Sequence, residues 1–241
     1  MEPYLYEDLY KLEDSHWWHI AKRKMCVALI DRYIKFRNLK ILEIGCGTGR
    51  NIQELMHFGN VWGIDSSAHA ISFCRKRGLK KVSLGISEKI DHKDCKFDLV
   101  AMLDVLEHTE DTKTVKEVKR ILKPHGYFLI TVPAFMWLLS KWDEVLHHKR
   151  RYTKNSLSQT LEGNGFEIVK ISYAFSFLVL PVVITRFIKS IIYKKEYPSD
   201  FKLSLPLINK IGNLACMIER WIILKFSIPL GTSVVCLARK I

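Results

Sequence analysis

Residues 40–50 have the sequence KILEIGCGTGR, and this stretch decides which fold the chain adopts. Its first half is a short apolar run with β-branched side chains, which predicts a buried strand. Three glycines follow at once, and they allow a tight turn and a close approach of the backbone to a ligand. A helix is then predicted from Arg50 to Phe58. A strand, a glycine loop and a helix N-terminus form the nucleotide-binding corner of a doubly wound α/β sheet.

The spacing of the glycines excludes a dinucleotide-binding loop, which needs the pattern G-x-G-x-x-G. Counted from Gly45, the sixth residue is Arg50, and counted from Gly47 it is Ile52. The observed pattern is instead an acid, Glu43, followed by glycines at every second position. An ordinary strand-to-helix turn is the alternative, so the neighbouring sequence has to decide.

Residues 61–65, VWGID, predict a second strand that ends in an acid. A carboxylate at this place can hold both hydroxyls of a ribose through paired hydrogen bonds. Ser66 or Ser67 can cap the helix that follows. For Asp65 the alternative is a capping role without a ligand, and the glycine loop upstream favours the ribose.

The order of motifs from Lys40 to Val132 resembles that of the class I S-adenosylmethionine-dependent methyltransferases, in particular the ubiquinone-biosynthesis O-methyltransferase and methyltransferase type 11 group. A fourth strand at 97–103 is followed by DVLEH at 104–108, and LKPHG at 122–126 precedes a fifth strand. The resemblance implies a Rossmann-like α/β fold. Its seven-stranded sheet is mostly parallel and has an antiparallel last strand.

The resemblance also implies S-adenosylmethionine (SAM) as methyl donor and S-adenosylhomocysteine as product. Arg23 matches an arginine that binds the methionine carboxylate, and Ile86 stands where the family often has an aspartate beside the adenine. The residues expected to bind the cofactor are Arg23, Glu43, Gly45, Cys46, Gly47, Asp65, Ser66, Ile86, Ser87 and Leu103.

The segment that follows the fourth strand, residues 104–108, limits the class of methyl acceptor. It lacks both the (D/N)-P-P-(Y/F) sequence of adenine methyltransferases and the Pro-Cys pair of cytosine-C5 methyltransferases. Glu107 and His108 resemble part of the acidic cluster of quinone O-methyltransferases, where a divalent ion can lie. The preferred interpretation is that they begin the next helix, where the helix dipole favours an acid. We therefore expect no metal site.

Histidine titrates near neutral pH and is the natural base for a hydroxyl that loses its proton during methyl transfer. His147 and His148, in a segment after the fifth strand that is rich in aromatic and basic residues, are the first candidates for this base. His108 is the next. The alternative for the pair is a basic surface turn.

The composition bounds the class of protein. The chain has 241 residues, 48% of them hydrophobic, which suits one α/β domain with additions. Its six cysteines form no C-x-x-C pair, and the start of the chain has no apolar signal-peptide core. We expect reduced thiols and a cytoplasmic location. The net charge of +13 keeps an RNA methyltransferase as an alternative, although no RNA-binding module is recognised.

The predicted organisation has four parts. Residues 1–38 form a helical arm over the cofactor site, and residues 39–173 form the SAM-binding core. In the arm, residues 20, 27, 28, 30 and 34 can share the apolar face of a helix that ends at Tyr33. Covering the edge of the sheet is the alternative role for the arm. Residues 174–230 form an apolar and basic helical insert between strands six and seven, and residues 231–241 contain the last strand.

The insert is unusual in length, and such segments commonly carry function or their own structure. Its uncharged stretch, 171–185, is shorter than the ~20 residues of a membrane-spanning helix. Residues 174–226 can instead bind an anionic membrane surface, with the protein peripheral at the inner membrane face. A lid over a greasy substrate, a homo-oligomer interface and a self-packed subdomain are the alternatives.

The sequence therefore predicts a SAM-dependent methyltransferase that acts on a small-molecule or lipid-like acceptor at a hydroxyl oxygen. Nucleic acid is not expected as a partner. A non-catalytic SAM-binding module remains the second alternative, because a fold match does not by itself establish catalysis.

Overall fold

The computed structural model describes residues 3–139, 141–192 and 206–241. These residues contain a sheet of seven strands in the order β3-β2-β1-β4-β5-β7-β6. β7 runs antiparallel to both of its neighbours, and the other pairings are parallel, as the sequence predicted. The strands are β1 (Leu39–Ile44), β2 (Gly59–Asp65), β3 (Val82–Leu84), β4 (Phe97–Leu103), β5 (Leu122–Pro133), β6 (Phe166–Ala174) and β7 (Ser233–Lys240).

Helices cover both faces of the sheet, and a separate core cluster of buried side chains lies on each face. β1 and β4 are buried on both faces, which explains why their sequences are continuous apolar runs. The α-helices are α1 (Pro3–Leu12), α2 (Trp17–Tyr33), α3 (Arg50–Leu55), α4 (Ala68–Lys76), α5 (Asp111–Ile121), α6 (Lys141–Val145), α7 (Lys154–Glu162), α8 (Val179–Ile192) and α9 (Pro206–Lys225).

Two predicted helix boundaries near the site are wrong. α3 ends at Leu55 instead of Phe58, because the Phe58 carbonyl accepts a hydrogen bond from Leu39 N (2.9 Å) and so turns the chain into β2. Glu107 and His108 do not begin α5. They lie in a separate 3-10 turn that ends at Thr109, whose backbone is extended.

The helical arm contains two helices, and α1 was not predicted. The apolar face predicted for α2 is only partly correct: Ile30 and Ile34 are buried, whereas the side chains at 20, 27 and 28 are half-buried. Its buried set includes Ala21, Lys22 and Arg23. α2 packs against α9 as well as the core, and a Cβ on Gly212 would overlap the Trp17 ring. Contact on two sides therefore buries charged positions that a single-face pattern assigns to solvent.

The insert between β6 and β7 contains α8 and α9, and residues 193–205 of it lie outside the described residues. Glu219 fixes the rotation of α9. Its buried carboxylate accepts hydrogen bonds from the backbone N–H groups of Phe175 (2.6 Å) and Ser176 (2.7 Å), just after β6. Within the described part of the chain, no helix is both long and apolar enough to cross a bilayer.

Candidate functional site

The candidate site lies along the carboxyl edge of the sheet, where the strand order reverses between β1 and β4. Gly45, Gly47 and Gly49 all have positive φ (69°, 53° and 87°), a conformation that strains any residue with a Cβ. A Cβ on Gly45 would also overlap the side chain of Val105, at the end of β4. Glycine at 45 is thus required by both the turn and the packing of the two strand ends.

Two acids flank the glycine loop. Glu43 is 0% exposed, and Asn51 donates a hydrogen bond to its Oε1 (2.9 Å), while its Oε2 has no partner among the described residues. Burial raises the pKa of this carboxyl well above its usual value. Asp65 accepts hydrogen bonds from the backbone N–H groups of Gly47 (2.9 Å) and Ser67 (2.9 Å). Glu43 therefore presents an unsatisfied oxygen beside the loop.

The helical arm covers the glycine loop through a network of charged groups. Glu13, at the end of α1, accepts hydrogen bonds from the hydroxyl of Thr48 and from Arg77 Nη2 (2.6 Å). Asp14 pairs with Arg50 Nε (2.5 Å), the first residue of α3. Because Thr48 belongs to the loop itself, these contacts tie the arm directly to the cofactor corner.

Arg23, on α2, is buried near this network, close to Glu13 and Arg50. Its guanidinium forms no ion pair or hydrogen bond with any residue that the structure describes. Burial lowers its pKa, and the charge of Arg50 adds to the effect. A buried cation without a partner suits an anionic group of a ligand.

The other predicted cofactor residues lie along the same edge. Cys46 is buried, with its Sγ 3.8 Å from Cys74 Sγ. Leu103 ends β4. Ile86 and Ser87 follow β3, and the Ser87 hydroxyl accepts a hydrogen bond from Thr114 (3.3 Å). Ser66 is exposed next to Asp65.

A second charged group lies at the end of β4. Lys22, on α2, forms an ion pair with Asp104, whose other oxygen accepts a hydrogen bond from Thr131 Oγ1 (2.9 Å). The Lys22 ammonium also lies 3.4 Å from the centroid of the Trp18 ring. Burial lowers the pKa of Lys22, and the nearby Glu107 opposes the shift. The arm therefore contributes to the charged group at the end of β4 as well as to the network at the glycine loop.

Glu107, His108 and His148 come together next to this pair. The two histidine rings are in edge contact, with centroids 4.7 Å apart, and His148 Nε2 lies 3.9 Å from Glu107 Oε1. Both Glu107 oxygens are buried and lack a hydrogen-bond partner among the described residues. Burial raises the pKa of Glu107 to about 8 and lowers that of His108 to about 4. Near neutral pH, Glu107 is mostly protonated.

Asp143, at the start of α6, orients His148. Its Oδ1 lies 2.8 Å from His148 Nδ1, and Arg151 Nε donates to the same oxygen (2.8 Å). Because a carboxylate only accepts hydrogen bonds, this contact places a proton on Nδ1, and the lone pair of a neutral imidazole is then on Nε2. The side chain of His147 is exposed, and its carbonyl lies 3.2 Å from His108 Nδ1.

The structure thus joins two of the three predicted candidate bases, His148 and His108. Asp143 and Lys22 were missed. Asp143 is five positions from His148 across the end of α6, and Lys22 is 82 positions from Asp104, so no local spacing pattern joins either pair. Glu107, His108 and His148 each offer one ligand atom, all within 4.8 Å of one another, so this set could also hold a divalent cation.

Aromatic and apolar side chains lie near the carboxyl ends of β5 and β6. Phe135 stacks on Tyr173 (centroids 4.8 Å apart), and Phe175 lies against Trp18 (5.8 Å). We call the more exposed part of this group the aromatic rim. It consists of Trp18, Phe135, Met136, Trp137 and Phe177.

These features suit SAM on both of its ends. The unsatisfied Glu43 oxygen suits the positive charge of an amino or sulfonium group, and Arg23 suits a carboxylate. A Cβ on Gly47 would meet only Leu9, at 3.8 Å, so the loop leaves room for the backbone to approach a ligand. The Asp65 carboxylate at the end of β2 suits the hydroxyl groups of a ribose, which would donate to it.

Comparisons with known proteins agree with this geometry. A family model described as "Methyltransferase domain" matches residues 42–130. An uncharacterised protein of Methanocaldococcus jannaschii is 31% identical over 183 residues, which cover 73% of this chain and 77% of that protein. A ubiquinone biosynthesis O-methyltransferase of Pelagibacter ubique is 27% identical over 64% of this chain and 76% of its own length.

Among solved structures, a SAM-dependent methyltransferase of Thermotoga maritima, described as a possible histamine N-methyltransferase, superposes with a TM-score of 0.62. It is 20% identical, and the match covers 98% of this chain and 95% of that one. At that identity the likeness concerns the fold. With the motif order, the site and the relatives taken together, the chain belongs to the class I SAM-dependent methyltransferases, enzymes that use SAM as the methyl donor.

Proposed function

We propose that this enzyme transfers the methyl group to a hydroxyl oxygen of a lipid-like small molecule, with His148 as the general base. The observation that carries the proposal is the contact of Asp143 with His148 Nδ1, which in a neutral imidazole leaves Nε2 as the basic nitrogen. SAM supplies an electrophilic methyl group when it is bound. A hydroxyl becomes a competent nucleophile when a base takes its proton, which contributes roughly 10²–10⁴-fold to such reactions.

The chain's residues divide the remaining tasks. We propose that Arg23 binds the methionine carboxylate, that Glu43 faces the amino group and that Asp65 holds the ribose. The helical arm, residues 1–38, then closes over the cofactor through the contacts of Glu13 with the glycine loop. Exclusion of water and alignment of the reacting atoms supply much of the remaining acceleration, since well-oriented pairs gain about 7–11 kcal/mol.

The aromatic rim supports an apolar acceptor. Trp137 is 59% exposed and Met136 is 53% exposed, next to the residues that would receive the hydroxyl. Arg151 N donates to the Met136 sulfur (3.1 Å), so the rim and the Asp143 network share a residue. Exposed apolar groups beside a catalytic centre are typical of a binding site for an apolar substrate.

The test compares acceptors that differ in one group. Radiolabelled SAM is incubated with a long-tailed alkylphenol, with an alkylaniline of the same tail, with a short-tailed phenol and with total RNA. We expect methylation of the long-tailed phenol to exceed that of the other three. Transfer to the aniline or to RNA alone would overturn the hydroxyl acceptor.

The base is tested by His148→Asn, with His147→Asn as the matched control. His147 has a φ of 59°, a conformation that asparagine tolerates, so the control keeps its backbone. We expect His148→Asn to lower kcat by roughly 10²-fold or more with SAM affinity unchanged, and His147→Asn to change little. An equal effect of both variants would contradict the role of His148. A bound divalent ion that is lost in His148→Asn would show that this residue is a metal ligand instead.

A further inference from the structure

The face of α9 that points away from the protein is apolar, although the helix already buries its other face. Gly212, Cys216, Glu219 and Ile223 are buried against α2 and the end of β6. The opposite side carries large apolar side chains that recur at alternating intervals of four and three residues. We call these residues the outer face of α9. They are Leu207, Ile211, Leu214, Ile218 and Trp221, all exposed.

A helix that is apolar on all sides is normally buried on all sides. Here Leu207 is 67% exposed, Trp221 is 57% exposed and Ile218 is 53% exposed. The buried Glu219, with its hydrogen bonds to the backbone after β6, prevents a rotation that would turn these residues inward. The exposure is therefore fixed by the fold, and it requires a partner outside the described residues.

The charges around the outer face identify the chemistry of that partner. Lys210 and Lys225 flank the face, and the Lys225 ammonium lies 4.0 Å from the centroid of the Trp221 ring. The one acid of α9, Glu219, is buried. The exposed charges of α9 are therefore cations alone, which complements an anionic surface. A second copy packed on the same face would bring like charges together.

The outer face also continues towards the site. Asn209, in the first turn of α9, accepts a hydrogen bond from Trp17 N (3.1 Å). The Trp17 ring lies 5.9 Å from that of Phe177, which belongs to the aromatic rim. The buried Trp17 thus joins the first turn of α9 to Phe177 of the aromatic rim.

We infer that the outer face of α9 docks on the surface of an anionic lipid bilayer, with its apolar side chains in the boundary of the acyl chains and Lys210 and Lys225 at the headgroups. Amphipathic helices with these properties lie in the plane of the interface. Docking in this orientation brings the aromatic rim to the bilayer, from which a lipid-like acceptor can enter. The docking itself is independent of the proposed acceptor, because it needs neither methyl donor nor substrate.

The experiment is co-sedimentation of the full chain with vesicles of phosphatidylcholine alone and of phosphatidylcholine mixed with phosphatidylglycerol. We expect binding to the mixed vesicles that weakens with added salt. The double variant Leu214→Ser/Ile218→Ser should lower the partition coefficient by about 100-fold, through lost apolar burial. Lys210→Gln/Lys225→Gln should lower it by about 30-fold, since each cation near the surface contributes about 5-fold.

Two matched controls have the same chemical changes on other surfaces. Phe36→Ser/Met56→Ser removes two exposed apolar side chains, and Lys35→Gln/Lys80→Gln removes two exposed cations. Both controls should bind as the unaltered chain does. Circular dichroism melts check that all four variants fold.

Three results would overturn the inference. The first is the absence of binding to mixed vesicles, and the second is binding that Leu214→Ser/Ile218→Ser leaves unchanged. The third is a dimer in analytical ultracentrifugation that this variant dissociates while vesicle binding persists, which would assign the face to a second copy. Because no turnover is measured, each result is independent of the outcome for the hydroxyl acceptor.

Discussion

Asp143 Oδ1 lies 2.8 Å from His148 Nδ1, and Asp143 is 1% exposed. A buried carboxylate in this position selects one tautomer of the imidazole and fixes the direction of its free nitrogen. The same oxygen lies 2.7 Å from Arg151 Nη2, and this ion pair holds the carboxylate in place. The orientation of the proposed base thus depends on a residue that does not itself reach the substrate.

Asp143→Asn tests this positioning role. The amide can still fill the space, but it can present a donor to Nδ1 and so favour the tautomer that is protonated on Nε2. We expect kcat to fall by roughly 10–10²-fold, and the fall to shrink as the assay pH is raised and the hydroxyl ionises without help. Binding of SAM, measured by calorimetry, should not change. A loss of kcat that is the same at every pH would assign Asp143 a purely structural role.

Arg23→Met should weaken SAM binding by about 10–100-fold, because a charge-assisted contact to the methionine carboxylate is lost. The control ligand is 5′-methylthioadenosine, which has the ribose and adenine of SAM but lacks its carboxylate. Its affinity should be unchanged by Arg23→Met and reduced by Asp65→Asn. Lys24→Met, an exposed neighbour on α2, is the control variant. Equal weakening of both ligands by Arg23→Met would contradict a direct contact with the carboxylate.

Gly45→Ala and Gly78→Ala separate backbone strain from loss of space. Both glycines have positive φ, 69° and 78°, but an added Cβ meets nothing within 4 Å at Gly78 and overlaps Val105 at Gly45. Gly78→Ala should cost ~1–2 kcal/mol of unfolding free energy, the usual penalty for a side chain in this conformation. Gly45→Ala should cost on the order of 3 kcal/mol or more, because strand ends must also move apart. Urea unfolding measures the loss of unfolding free energy in each variant. Equal losses would show that the Val105 side chain moves aside at no energetic cost.

Glu107→Gln should change how stability depends on pH. The folded pKa of Glu107 is raised to about 8 from a usual value of 4.5, with burial as the main cause. Below about pH 4.5 both states are protonated, and above it the unfolded chain ionises first, so the wild type loses stability as pH rises towards about 8. The glutamine variant has no such loss.

The free energy of unfolding of Glu107→Gln, relative to wild type, should therefore rise by about 3 kcal/mol between about pH 5 and pH 8. Glu117→Gln is the control. The ion pair of Glu117 with Arg120 lowers its pKa, so its contribution is constant over that range. A difference for Glu107→Gln that does not vary with pH would mean that the carboxyl is ionised throughout, held by Lys22.

The sequence alone determined the elements whose signals are local. The acid and glycines of residues 43–49 and the acid at 65 require only neighbouring residues, and the structure has them at the ends of β1 and β2. The N-cap of α7 is a local feature of the same kind, since the Thr153 hydroxyl accepts a hydrogen bond from Ser156 N (3.1 Å). Such features follow from backbone conformation and short-range hydrogen bonds, which a sequence specifies directly.

Only the tertiary structure decided which charged groups are buried and which groups they contact. Lys22 meets Asp104 across 82 residues of sequence, and no local pattern distinguishes Lys22 from its exposed neighbour Lys24. The same holds for the face of α9 that points outward, because the carboxylate of Glu219 sets the rotation of the helix through groups 43 and 44 residues away. Burial is a property of the packed elements together, and the cost of burying a charge then selects its partners.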